Sequence, residues 1–332
     1  MVTIKASRRH AHHRERHGVE THAGDVRLPA VAALQDARLS GDPTALAEAY
    51  QALGMQAYMG GKADESADYT RLAIEQAWAS GDAALALQAE TNRLVEDVVG
   101  PAPATEALTR AETLHDAAAA YPSVRGDVLR LLAVLEAMIG RVDDARAHAA
   151  ESVHLLEELG LPTAAMLSRG DQSWVDRLAG DLPAAERALR TVVTTAEKIG
   201  DRTLASWGAC RLAQVLIEEG RLEDAEPFLA QAEQVDMVMN RSRILGARAR
   251  LEAVRGSPSA PELVTQLVAM LDEVAFPNIR LDGFVDAAEA TAVLGDRAGA
   301  VGYAAEALRL AEAKGNVMRA QQVRAIIARL ES

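Results

Sequence analysis

The sequence is poor in cysteine, in aromatic residues and in long apolar runs, and each shortage excludes a class of protein. Cys210 is the only cysteine among 332 residues, which excludes an intrachain disulfide and a cysteine-cluster metal site. It lies in an apolar helical run, so we interpret it as a buried packing residue. Aromatic residues make up 3% of the chain, whereas apolar residues, many of them Ala and Leu, make up 49%. This composition favours thin layers of packed helices over a bulky globular core.

Basic charge and membrane-length segments are scarce as well. The formal net charge is −13, which argues against a nucleic-acid partner because a phosphate-binding surface needs a basic stripe. No stretch approaches the roughly 18 to 20 uninterrupted apolar residues that a membrane span requires. The N-terminus has no apolar segment after its basic residues, as a signal peptide would. We therefore expect a cytoplasmic protein that binds neither nucleic acid nor membranes.

Glycine, by contrast, recurs with a regular spacing. One series of glycines repeats at intervals of 36 to 40 residues, and a second series lies about half a period away. A glycine closes a helix in the left-handed conformation, and the residue after it starts the next helix. Two glycines per period therefore predict two helices of about fifteen residues in each repeat. The first series is Gly61, Gly100, Gly140, Gly180, Gly220, Gly256 and Gly295, and the second is Gly41, Gly81, Gly160, Gly200 and Gly315.

The residues next to these glycines support the same arrangement. Residues 140–145 read Gly-Arg-Val-Asp-Asp-Ala and residues 180–185 read Gly-Asp-Leu-Pro-Ala-Ala, so acidic or Pro residues occur early in the second helix, where they suit its positive end. We expect the Ala five residues after each glycine to lie where the second helix crosses the first. In the second series, Asp or Asn after the glycine is expected to cap the next helix. The chain is thus predicted to be an all-α solenoid with about seven helix pairs over residues 43–315 and a closing helix over 317–330.

The pattern resembles the tetratricopeptide repeat, with its small residue after the turn and a further Ala or Leu at Ala149, Leu189, Leu229 and Ala304. This resemblance implies a right-handed α-solenoid of helix-turn-helix units. The usual unit has about 34 residues, whereas the unit here is nearer 40, so longer helices are expected.

Residues 125–331 also resemble a narrower group, on the stretches 128–159, 178–201 and 289–316. These stretches are similar to the C-terminal helical region of actinobacterial signalling proteins, in which a class III adenylate or guanylate cyclase domain and an ATPase module precede the repeats. The resemblance implies a module of signalling or transcriptional regulation. No phosphate-binding Gly-x-x-x-x-Gly-Lys-[Ser/Thr] loop and no cyclase domain occur here, so neither catalytic function carries over.

The N-terminal part differs from the repeats. Residues 28–41 are predicted to form the second helix of a repeat whose first helix is missing, so the array begins in the middle of a repeat. The chain is then a descendant of a longer ancestor, a fragment, or a protein with an irregular N-terminal cap. Residues 1–27 form a basic segment that we interpret as a disordered arm. A metal-binding tract or docking of the arm onto the acidic body are the alternatives. The arm holds five of the eight histidines, His10, His12, His13, His17 and His22.

Candidate partner-binding residues lie on three predicted first helices. Trp174 and Trp207, 33 residues apart in adjacent repeats, are either groove anchors or core residues, and Arg211 follows Trp207 by one turn. First helices line the concave face of such solenoids, so guanidinium groups there could hold a carboxylate-bearing peptide; the alternative is a solvated face paired with neighbouring acids. One arginine row is Arg241, Arg248 and Arg255, a second is Arg243 and Arg250, and the opposite, buried stripe is Ile244, Leu251 and Val254.

No catalytic triad can be assigned. Acidic pairs such as Asp143-Asp144 occur at helix starts, and nothing marks a pocket that would shift their pKa. We predict a non-enzymatic scaffold or regulatory module that binds a protein or peptide segment on its concave face, without a cofactor or a metal. One alternative is a small-molecule-sensing module with a closed pocket between repeats. The other is an enzyme, which would need polar side chains converging in a deep pocket.

Overall fold

The computed structural model describes residues 23–332, with side chains from residue 29 onward. Throughout this range the regular structure is helical, and sixteen α-helices follow one another. The first helix begins at Ala23, and residues 1–22 of the predicted arm lie outside the described residues. The helices are α1 (Ala23–Ser40), α2 (Pro43–Met59), α3 (Ala63–Ala79), α4 (Ala83–Val99), α5 (Ala104–Ala117), α6 (Pro122–Met138), α7 (Val142–Glu158), α8 (Pro162–Leu178), α9 (Leu182–Ile199), α10 (Arg202–Glu218), α11 (Leu222–Ala232), α12 (Val238–Val254), α13 (Ala260–Glu273), α14 (Pro277–Val293), α15 (Arg297–Lys314) and α16 (Val317–Glu331).

The helices alternate between an inner and an outer layer. The even-numbered helices α2 to α14 are the first helices of seven pairs, each followed by its second helix, and α16 follows the last pair. Consecutive helices pack against each other along the chain, and most first helices also contact the first helix of the next pair. The predicted all-α repeat fold is confirmed. In the part of the chain that the structure describes, no helix is both long and apolar enough to cross a membrane.

The turns follow the glycine series with one exception. Eleven of the twelve glycines have φ between 66° and 91°, the left-handed region that only glycine enters without strain. Gly100 instead has φ −85° and ψ −168°. It precedes Pro101, and the proline ring disfavours helical geometry at the residue before it. The connection from α4 to α5 is therefore extended where the other turns are tight.

The predicted helix caps and crossing points are also confirmed. Asp42, Asp82, Asp201 and Asn316 each accept a hydrogen bond from a backbone N–H in the first turn of the next helix. Such caps contribute about 1 kcal/mol each. The alanines five residues after the turn glycines are fully buried between the two helices of their pairs, namely Ala145, Ala185, Ala225 and Ala300.

The solenoid closes on itself at the junction of α15 with the α4–α5 connection. The Lys314 ammonium group, at the end of α15, donates to the backbone carbonyls of Asp97, of Gly100 at 3.0 Å and of Ala102 at 2.6 Å. Lys314 as a whole is only 2% exposed. The side-chain amide of Asn278, at the start of α14, donates to the carbonyl of Val98 at 2.7 Å. These contacts join residues 180 to 217 positions apart in the chain.

Two further contacts complete the closure. Tyr58 of α2 meets the ring of Phe276 edge-on, with 5.4 Å between the centroids. The Gln322 amide of α16 donates to the carbonyl of Leu178 at the end of α8, at 3.1 Å. Phe276 and Ile279 belong to the same apolar core as residues of α4 and α6. Helices from distant parts of the chain therefore meet across the inner side of the superhelix.

Candidate binding site on the inner face

Charged side chains converge inside the closed superhelix, where the inner helices face one another. Arg177 of α8 forms a bidentate pair with Glu218 of α10, at 2.6 and 2.9 Å. Asp282 of α14 accepts from Arg319 of α16 at 2.7 Å and lies 3.9 Å from Arg177. Two outlying pairs are Arg250–Asp286 at 3.2 Å and Arg130–Asp171 at 2.8 Å. The interior of the ring is thus a polar network, unlike the apolar layers between helices of a pair.

The network holds its two central carboxylates, Glu218 and Asp282, in the charged form. Burial opposes ionisation of Asp282, but the nearby Arg319 and Arg177 hold its pKa below the ordinary value. Burial likewise opposes ionisation of Glu218, and Arg177 lowers that pKa. Asp286 differs because burial raises its pKa despite Arg250, and its Oδ2 atom is buried without a hydrogen-bond partner. The arginines beside Asp282 and Glu218 therefore outweigh the effect of burial, whereas Arg250 does not outweigh it at Asp286.

Two arginines stand outside this pairing. Among the side chains of residues 29–332, none forms an ion pair with Arg211 or Arg243. Arg243 donates through Nη1 to the carbonyl of Met239 at 2.9 Å, and the Nε atom of Arg211 is buried with no partner. Burial, together with the charge of Arg243, lowers the pKa of Arg211 to about 10. One turn along α10, the Nε2 atom of Gln214 is also buried without a partner, in a residue that is 4% exposed.

The unpaired groups surround a small cavity on the inner face. Its volume of about 20 Å³ is enough for roughly one water-sized group. The lining comes from α8, α9, α10, α12 and α14, so four consecutive inner helices meet there. The lining residues are Ser173, Trp174, Arg177, Leu189, Arg211, Gln214, Val215, Arg243 and Asp282.

The two tryptophans hold Arg211 from both sides. Its guanidinium carbon lies 4.5 Å from the ring centroid of Trp207 and 5.7 Å from that of Trp174, within the range of a cation–π interaction. Trp207 also lies directly over Gly170 of α8, and it packs against the apolar cluster between α8 and α10. Trp207 is thus a packing residue that positions Arg211, whereas Trp174 lines the cavity.

The structure separates the sequence-predicted residues into two groups. Trp174, Arg211 and Arg243 come together at the cavity, and Arg250 turns inward to Asp286. Arg241 and Arg248 do not join them. On a helix they lie roughly 200° from Arg243 and Arg250, and they match the alternative of a solvated face paired with neighbouring acids.

The outward arginines are occupied by acids of the neighbouring outer helix and its loop. Arg241 is 51% exposed and pairs with Asp236 at 2.6 Å. Arg248 pairs with Glu233 at 3.0 Å and with Glu226. The predicted buried stripe on this helix is wrong at Val254, which is 52% exposed, although Leu251 is fully buried.

Several interior residues escaped the sequence interpretation. Arg177, Gln214 and Asp282 each interrupt an apolar stretch of an inner helix, as in Leu212-Ala213-Gln214-Val215. A polar residue inside such a stripe is the signal that could have marked them. The ion-pair partners of Arg177 and Asp282 are 37 to 105 residues away in the chain, so the pairing itself leaves no local pattern.

Cysteine and metal chemistry receive little support from the described residues. Cys210 is fully buried, as predicted, and burial raises the pKa of its thiol to about 11. Among residues 23–332, no three His, Cys, Asp or Glu side chains are grouped as a metal site would require. The histidines of the predicted metal-binding tract lie outside the described residues.

Comparison with known proteins identifies the fold. The structure is similar to that of a Rap protein complexed with Competence and Sporulation Factor, with a TM-score of 0.61 and 13% identity over 86% of this chain and 77% of the other. It is also similar to the apo form of RapI, with a TM-score of 0.51 and 12% identity over 85% of this chain and 99% of the other. No protein-family model matches the chain, and comparison with curated proteins gives no match.

Proposed function

We propose that the chain is a non-enzymatic regulatory module that binds a protein or peptide segment on the inner face of its superhelix. The observation that carries the proposal is the cavity between α8, α10 and α12, where Arg211 and Gln214 present buried donors without acceptors. An unsatisfied buried donor costs about 1–3 kcal/mol. Buried ion pairs contribute little net stability compared with apolar packing. Stability alone therefore does not account for this interior, whereas recognition of a ligand does.

The chemistry of the cavity favours binding over catalysis. Its polar lining consists of donors, one ionised carboxylate at Asp282, and Ser173, whose hydroxyl donates to the carbonyl of Gly170 at 2.6 Å. No histidine or other general base lies beside Ser173 in the lining, and a hydroxyl nucleophile needs such a base. The cavity residues can hold a ligand but form no nucleophile–base pair.

The comparisons and the sequence support a regulatory role. The Rap protein with a similar fold was solved in complex with Competence and Sporulation Factor, so a superhelix of this type accommodates a bound factor. At 13% identity the fold is shared and the ligand is not carried over. The resemblance of residues 125–331 to the helical region of cyclase–ATPase regulators points in the same direction, towards signalling or transcriptional control.

We infer that the contacts across the superhelix narrow the inner face, so that a chain segment reaches it more readily when the closure opens. Lys314 and Asn278 hold one side of the ring through hydrogen bonds to the backbone of residues 97–102. We therefore expect an equilibrium between a closed form and an open form, with the ligand selecting the form in which the cavity is accessible.

Site-specific photo-crosslinking tests this proposal. A benzophenone side chain introduced in place of Trp174 reports on the inner face, and the same side chain in place of Trp78 reports on the outer layer, where Trp78 is 54% exposed. Both changes exchange one large aromatic side chain for another. We expect a discrete crosslinked protein or peptide from native cells at position 174 and none at 78. Crosslinking at position 78 alone, or equally at both positions, would place the partner elsewhere.

A small-molecule-sensing module is the second candidate, and the small volume of the cavity, about 20 Å³, favours it. A ligand that binds only the folded chain raises the unfolding midpoint, by roughly 2.7 kcal/mol of stability at a hundredfold excess over Kd. A metabolite that raises the midpoint, without any crosslinked macromolecule at position 174, would select this function over the first.

A further inference from the structure

We propose that Arg211, Gln214 and Arg243 form a subsite for a single carboxylate group, which anchors the ligand of the inner face. The inference rests on the proposed function and names the chemical group that the site recognises. It is carried by three independent observations: the charge balance of the interior, the donors that lack acceptors, and the size of the cavity.

The charge balance around the cavity leaves an excess of positive charge. Glu218 is paired with Arg177 and Asp282 with Arg319, and Asp171 shares Arg130 with Asp127. Among the described side chains, no carboxylate forms an ion pair with Arg211 or Arg243, although the charges of Asp171 and Asp282 reach them from further away. Two guanidinium groups that face the same small space repel each other, and an anion between them removes that repulsion.

The unsatisfied donors specify an acceptor. The Nε atom of Arg211 and the Nε2 atom of Gln214 are buried without partners. They stand three residues apart on α10, on neighbouring positions of one helix face. Arg243 adds guanidinium N–H groups from the next repeat. A carboxylate accepts through two oxygens, carries the required charge and matches the planar fork of a guanidinium.

Asp282 also lines the cavity and would repel an anion if its charge were free. Its Oδ1 atom accepts from Arg319 at 2.7 Å, and Arg177 lies 3.9 Å from its Oδ2 atom. These two cations face it from α16 and α8. The negative charge of Asp282 is therefore compensated within the network, and the two unpaired arginines make the net charge of the site positive.

The cavity and its walls favour a carboxylate over a larger oxyanion. A volume of about 20 Å³ admits one oxygen atom, so the second oxygen and the rest of the ligand remain outside it. A tetrahedral phosphate that placed one oxygen inside would leave three oxygens at the mouth of the cavity, which need more room than the planar carboxylate. Trp207 and Trp174 keep the Arg211 guanidinium in place through ring contacts, so little side-chain entropy is lost when the anion binds.

Tryptophan fluorescence of the full chain provides the test. The sequence has three tryptophans, and a Trp78→Phe background leaves only Trp174 and Trp207, which both contact Arg211. Sodium acetate is the probe, acetamide is its neutral analogue of the same shape, and inorganic phosphate at matched ionic strength is the larger anion. We expect a saturable change in emission with acetate and none with acetamide or phosphate.

Variants locate the site. Gln214→Met removes the amide donors at similar volume and should weaken acetate binding about tenfold or more, as expected for a hydrogen bond to a charged group. Arg243→Met should abolish saturation. Arg241→Met is the matched control, because Arg241 lies on the same helix but outside the cavity, and it should leave acetate binding unchanged. Far-UV circular dichroism checks that each variant retains its helices.

The outcomes separate this inference from the function on which it rests. The carboxylate subsite is overturned if acetate does not saturate the unmodified cavity. It is also overturned if Gln214→Met and Arg243→Met bind acetate as tightly as the unmodified cavity does, even if a partner still crosslinks at position 174. Saturation by phosphate in preference to acetate overturns it too. Acetate binding that depends on Gln214 and Arg243, with no crosslinked partner, supports the subsite and contradicts the protein-binding function.

Discussion

The contact between Gly170 and Trp207 allows a sharp test of how the cavity wall is built. Gly170 lies on α8 with the indole ring of Trp207, from α10, directly over it. A Cβ atom at position 170 would overlap the Cη2 and Cζ3 atoms of that ring and would lie 3.2 Å from Cζ2. The ring cannot simply turn away, because Arg211 is stacked on it at 4.5 Å. We therefore expect Gly170→Ala to displace Trp207 and to destabilise the fold.

The size of the effect follows from opposing contributions. Alanine is favoured over glycine inside a helix by about 1 kcal/mol. Overpacking of a buried site costs about 1–3 kcal/mol, and loss of the cation–π contact of Arg211 costs about 0.5–2 kcal/mol. The unfavourable contributions exceed the favourable one, and we expect a net loss of roughly 1–3 kcal/mol.

Urea unfolding followed by far-UV circular dichroism measures this change, and Gly302→Ala is the matched control. Gly302 lies in the middle of α15, and an added Cβ meets no atom within 4 Å. That variant should gain about 0.5–1 kcal/mol from helix propensity alone. If Gly170→Ala proves as stable as Gly302→Ala, the tight contact between Gly170 and Trp207 does not exist and the proposed positioning of Arg211 falls with it.

Three further predictions concern the closure and the buried thiol. Lys314→Met should destabilise the fold by roughly 1–3 kcal/mol by leaving backbone carbonyls unpaired, whereas Lys198→Met, at an exposed helix end, should not; urea unfolding compares them. Burial lowers the pKa of Lys314 from 10.5 to about 8 in the folded chain. Between these two pH values the unfolded chain binds more protons than the folded one, so the free energy of unfolding should rise with pH by up to about 3 kcal/mol. Lys314→Met should remove that rise. Cys210 should react with iodoacetamide only as fast as the chain unfolds, because its thiol is buried and its pKa is raised; rapid labelling of the native protein would contradict this.

Most of the fold could be predicted because its determinants are local. A glycine with positive φ ends a helix, and Asp82 or Asp201 starts the next one through its own side chain. These effects act within four or five residues and therefore appear as a repeated spacing. Gly100 shows the limit of that spacing, since Pro101 next to it imposes an extended backbone and the turn is made differently.

The closure could not be predicted, because its contacts join distant parts of the chain. Lys314 and Gly100 are 214 residues apart, and no sequence pattern within a single repeat predicts their contact. The curvature that brings them together accumulates from small rotations between successive repeats. The same limit applied to the arginines of α12. Their spacing fixed which of them share a face, but only the position of α11 shows that Arg248 turns towards Glu226 rather than towards the cavity.

The cavity and the closing helix are connected through one residue, and the connection has a measurable consequence. Asp282 lines the cavity and accepts from Arg319 of α16, one turn before Gln322, which bonds the carbonyl of Leu178. Loosening α16 would leave Asp282 less well compensated, and its charge would then oppose an anion in the cavity. Coupling between two sites is reciprocal. Gln322→Ala removes the contact to Leu178 and the hydrogen bond that Gln322 accepts from Arg319 at 3.0 Å, so it should lower the affinity for acetate as well as loosen α16. The fluorescence titration measures the first effect and hydrogen exchange of α16 the second; unchanged affinity with faster exchange would show that the cavity and the closure act independently.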